Sequence, residues 1–173
     1  MSTFVEIKQM IQDYYPDVVA VNSFIDPDAG ELGTYCRLAN NLITSYPYLF
    51  TFCKASYSLT LTGASSYNLR TLIPGIVKVT QITGIDQYQE SDPISDHEAR
   101  LTAGPGHFLR NLTLYFTGTA PATGTAVIDY KSKYLVEDAV TGVRKLDFED
   151  EEDISSIPEE FIPTYLALIG LYI

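Results

Sequence analysis

The spacing of apolar residues changes period twice along this chain, and that constrains its fold more than any other feature. Residues 3–15 place Phe4, Ile7, Met10, Ile11 and Tyr14 at steps of three and four, which puts them on one helical face. Thr3 and Glu6 stand at capping-box spacing ahead of that stripe, and Pro16 stops it. A second helix is expected over 27–46. Asp26 suits its N-cap, Pro27 its first position, and Asp28 and Glu31 the positive end of its dipole. Leu32, Tyr35, Ala39, Leu42 and Tyr46 form its stripe, and Pro47 closes it.

From about residue 55 the step becomes two. Ala55, Tyr57, Leu59 and Leu61 alternate with Ser and Thr, the pattern of a strand with one wet face. Pro74-Gly75 marks a turn inside the next apolar stretch. Leu112, Leu114 and Phe116 alternate again, and Ile128 and Tyr130 oppose Val127, Asp129, Lys131 and Lys133. The polar tract "DPISDHEARLTAGPGH" reads as a long loop or extended hairpin holding both histidines, His97 and His107. After residue 156 the helical step returns with Phe161, Tyr165, Leu168 and Tyr172; Ser156 and Glu159 have capping spacing, and Pro158 or Pro163 can open the helix. Helices segregated from a block of strands define an α+β fold: N-terminal helices, an antiparallel β-domain of four to six strands within 55–136, and a short C-terminal helix or arm. Residues 1–146 are read as one domain, and 147–173 as an acidic linker with a docking segment.

Six of the seven residues from Asp147 to Asp153 are carboxylates: Asp147, Glu149, Asp150, Glu151, Glu152 and Asp153. Their spacing lacks the alternating ligands and bend glycine of a calcium loop, so a solvated tether is the expectation and no metal is assigned. The net charge of −11 argues against a chain that wraps nucleic acid, because phosphate contacts need Lys and Arg. Cys36 and Cys53 make no disulfide framework and read as small buried apolar residues. The C-terminal apolar run of 13 residues is too short to cross a bilayer, and the N-terminus has no secretory pattern. No nucleotide, zinc-protease or hydrolase motif is present, so no catalytic residue and no cofactor are assigned.

Certain stretches carry a likeness. Leu72 to Val79 runs through proline-glycine into an apolar "IVKV", Pro121 to Tyr130 reads "PATGTAVIDY", and Ile157 to Phe161 reads "IPEEF" ahead of an apolar end. In this order, over roughly 27–172, they resemble the head-to-tail adaptor (connector) proteins of tailed bacteriophages. The resemblance implies a non-enzymatic ring, commonly dodecameric, in the neck of a virion assembled in the host cytoplasm. Such a ring binds the portal protein on one side and the tail or a further ring on the other, and DNA passes through it without specific binding. It implies portal docking by the C-terminal segment, here Phe161, Tyr165, Leu168, Ile169 and Tyr172. The acidic run would then line the lumen and repel phosphates, or hold an arm extended by self-repulsion. The rival fate of the segment is a helix packed on its own domain. The rival function is a β-rich ligand- or carbohydrate-binding module of a phage fibre or tail.

Overall fold

The computed structural model of the protein describes residues 2–16, 31–45, 50–86, 89–90 and 105–172. In chain order the elements begin with α1 (Phe4–Tyr14), α2 (Glu31–Thr44) and a 3-10 turn (Thr51–Cys53). The strand block follows as β1 (Lys54–Thr60), β2 (Ser66–Asn68), a one-turn α3 (Leu69–Leu72), β3 (Ile76–Thr83), β4 (Gln89–Glu90), β5 (Gly106–Arg110), β6 (Thr113–Thr117) and β7 (Thr125–Ser132). The chain ends with β8 (Val136–Glu137), β9 (Arg144–Lys145), β10 (Ile154–Ser155), a second 3-10 turn (Glu159–Phe161) and α4 (Ile162–Gly170). The fold is therefore mixed α+β with a C-terminal helix.

These elements form two compact units, Met1–Lys54 with Ser132–Ile173, and Ala55–Lys131. This corrects the expected division into a domain over 1–146 and a tail over 147–173. The helical and the alternating stripes each close a core of their own, and the final segment completes the first of them.

The first unit buries Phe4, Ile7 and Ile11 of α1, Leu32, Cys36 and Ala39 of α2, and Ile162, Tyr165, Leu166 and Ile169 of α4. The expected capping box is present: the Thr3 hydroxyl accepts from the Glu6 amide, and the Glu6 carboxylate accepts from the Thr3 amide at 2.9 Å. Tyr14 closes the expected stripe but is 65% exposed, and Leu42 of α2 also faces out. The Asp26–Pro27 start of the second helix and Tyr46 lie outside the described residues. A small antiparallel sheet, β10-β8-β9, braces the unit and pairs at its edge with Thr3 through Ile154. Cys36 and Cys53 are buried free thiols, as expected, and burial pushes the Cys36 thiol up to about 12.

The second unit holds two sheets, β1-β7-β3 and β2-β6-β5-β4. Their shared core takes Leu59, Leu61, Leu114, Ile128 and Tyr130, alternating residues of the strand stretches, together with Leu69 of α3. The short β4–β5 pairing is parallel, whereas β2–β6 and β5–β6 are antiparallel. The β5–β6 hairpin turns at Asn111 and Leu112, both with positive φ, the geometry that matches strand twist. A leucine at φ 60° is held there by packing against the core and by its carbonyl, which accepts from the Leu69 amide at 2.8 Å. His107 is placed on β5 and is 8% exposed, so it is no solvated loop histidine; His97 lies outside the described residues.

Candidate functional site

The run from Asp147 to Asp153 is a folded loop rather than a tether. Phe148, the one apolar residue within it, is buried and stacks on Phe4 of α1 at 4.6 Å between ring centroids. With that anchor set, the backbone carbonyls of Asp153 and Glu151 accept from the Phe4 and Val5 amides at 2.9 and 3.3 Å. These are first-turn amides without an intrahelical partner, so the loop caps α1 from outside. The negative charges around them suit the positive end of that helix.

Three cations then neutralise the loop from three elements. Lys8 of α1 reaches Glu151 at 2.6 Å, Arg37 of α2 reaches Asp147 at 3.3 Å, and Lys145 of β9 lies 2.8 Å from Asp153. The Lys145 ammonium also lies within 3.3 Å of Glu149, 3.4 Å of Asp138 and 4.0 Å of Asp150. Asp153 is 1% exposed, and its Oδ2 additionally accepts from the Glu149 and Asp150 amides at 2.7 and 2.9 Å. Burial alone would lower the Lys145 pKa, but the bond and charge of Asp153, followed by those of Glu149, raise it. Asp138 organises the β8–β9 turn: its Oδ1 accepts from the amides of Val140 and Thr141 and from the Thr141 hydroxyl. The Thr141 bonds lead in holding its pKa down at about 2.

Asp138, Asp150 and Asp153 each bring one carboxylate oxygen within 4.8 Å of the others, a grouping that could hold a hard cation. Here the Lys145 ammonium already sits against all three, so the chain provides the counter-charge itself. Beside it, Arg144 is 5% exposed and donates to the Ser156 hydroxyl and to the carbonyls of Lys54 and Tyr134, with Glu137 3.5 Å from its Nε. Ser156 is therefore taken up by Arg144, and the start of α4 has no side-chain cap; Pro163 stands in its first turn.

The expected docking residues divide. Tyr165 and Ile169 are buried in their own unit, with the Tyr165 hydroxyl donating to the Cys36 carbonyl at 3.4 Å. Burial first, then Cys36, raises the Tyr165 pKa. Leu168 and Tyr172 are partly buried against the same core. Phe161 is 42% exposed with its ring tilted against Phe52, and Leu171, not singled out from sequence, is 76% exposed. The structure thus brings Asp147, Glu149, Asp150, Glu151 and Asp153 together around cations and leaves Glu152 exposed. It does not gather the five docking residues on one free face. Lys8, Arg37, Asp138 and Lys145 were missed because only Lys145 is near the run in sequence, four residues before Glu149.

No protein-family model matches the chain, and no curated protein sequence matches it significantly. No helix among the described residues is long and apolar enough to cross a membrane.

Proposed function

We propose that the protein is a non-enzymatic subunit of a head-to-tail connector ring, joining portal to tail in a phage virion and forming part of the DNA channel. The observation that carries this reading is the order of elements. A helical unit opens the chain, a β-unit interrupts it, and a proline-led terminal helix returns to the first unit. That is the sequence order in which the chain resembles connector proteins.

Charge supports it. Met1–Lys54 with Ser132–Ile173 contains sixteen acidic and six basic residues, net −10, whereas Ala55–Lys131 contains six and five, net −1. A charge so concentrated repels phosphate wherever that unit meets DNA and leaves the other unit available for close protein contact. In this reading the terminal segment docks on the portal through Phe161, Leu168, Leu171 and Tyr172, since Tyr165 and Ile169 are buried in their own unit. Co-expression with a portal ring, followed by light scattering and negative-stain imaging, tests the reading. Rings stacked on portal are the expected result; portal particles free of this protein at saturating concentration refute it.

A further inference from the structure

A groove of about 460 Å³ runs between α1 and α4, floored by Met10, Ile162 and Leu166 and walled by Tyr14 and Pro163. Contacts at both ends of the groove set the two helices running in the same direction. At one end Ser155 donates its amide to the Ser2 carbonyl, and Glu159 shares the groove with Ser2 and Glu6. At the other end the Tyr15 hydroxyl packs against Gly170 and leaves no room there for a Cβ. The groove extends from Ser2 to Tyr14, along all of α1, which is about 16 Å for its length.

Its charge has one sign throughout. Glu6, whose carboxylate also accepts from the Thr3 amide, and Glu159 line one end, and among the described residues no Lys, Arg or His lines it. At the other end the two helices bring their negative C-termini together, and neither has a basic residue in its last turn. We propose that this groove binds a cationic amphipathic helix of a protein partner. Its apolar residues would lie at steps of three, four and seven along the floor, and its Lys and Arg residues would meet the acidic mouth and the helix ends. A helix satisfies its own backbone, so a groove walled by side chains suits it better than an extended strand. An anionic membrane surface or a nucleic acid would be repelled by the same charges. The inference stands on the groove and goes beyond the connector reading: the partner here inserts into the protein, whether or not the protein forms a ring.

The test uses the full chain and a fluorescent synthetic helix of about five turns, leucine on one face and lysine elsewhere. One control peptide replaces lysine by glutamate, and a second replaces leucine by serine. Anisotropy at physiological ionic strength should show the leucine–lysine peptide binding at least about tenfold more tightly than either control. Tyr14→Lys and Pro163→Glu alter exposed walls and leave the core alone. Tyr14→Lys should weaken binding about tenfold, with the thermal melt unchanged. Pro163→Glu adds to the acidic mouth and blocks the apolar wall, so it should reduce the preference for leucine over serine. Equal binding of the serine peptide would show surface charge alone and overturn the proposal. So would absence of binding, or Tyr14→Lys binding as wild type does. Self-association of the chain competing with the peptide would assign the groove to a second copy, which also overturns it.

Discussion

Replacing Lys145 with methionine removes the ammonium from the acidic loop and keeps most of its aliphatic stem. Asp153, 1% exposed, loses its 2.8 Å ion pair but retains the amides of Glu149 and Asp150. Removing one partner of a buried pair costs about 3–5 kcal/mol. The two retained bonds go on stabilising the anion, which places the loss near the lower end, about 3 kcal/mol. Glu149 and Asp150, at 71% and 76% exposed, each contribute less than about 1 kcal/mol. Because the loop caps α1 through the Phe4 and Val5 amides, hydrogen exchange at those two positions reads the loss directly. Their protection should fall about a hundredfold, and urea unfolding should show the same direction. Adding Asp153→Asn removes the uncompensated charge and preserves an acceptor for both amides, so it should restore more than half of the loss. A change under about 0.5 kcal/mol, or no restoration by the second substitution, refutes the view that the Lys145–Asp153 pair is a main support of the loop.

Phe148→Ala empties the buried stack on Phe4 and should cost about 3–5 kcal/mol by chemical denaturation followed through first-unit probes; a loss under about 1 kcal/mol would mean the loop does not need its anchor. Gly84 has φ 80°, and a Cβ there would stand 2.5 Å from the Thr125 carbonyl oxygen, so Gly84→Ala should destabilise the second unit by about 2 kcal/mol or more. Wild-type exchange rates at the β7 amides would contradict that. Asp138 titrates near 2 rather than 3.8, so its stabilising contribution is complete above pH 3.8 and is lost as pH falls through 2. Carboxyl NMR should place its midpoint there, and Thr141→Ala should move it up towards the ordinary aspartate range; an unmoved midpoint would show that the turn bonds are not the cause.

What the sequence determined by itself was local. The step of three and four at Phe4, Ile7 and Ile11 can bury only a helix face, and the step of two at Leu59, Leu114 and Ile128 only a sheet face, so α+β was legible. The Thr3–Glu6 box and the buried free cysteines were legible for the same reason: each depends on near neighbours or on intrinsic hydrophobicity. The tertiary structure decided whatever depends on partners distant along the chain. Seven residues rich in carboxylate read as a solvated tether until Lys8 and Arg37, 143 and 110 residues away, supply counter-charge and Phe4 supplies a stacking surface for Phe148. The helical stripe of the last segment shows that Tyr165 and Ile169 share a face, but not whose core that face enters. Both ends of the chain meet in one unit around α1, α2 and α4, and that long-range closure turns the charge run from a spacer into a cap.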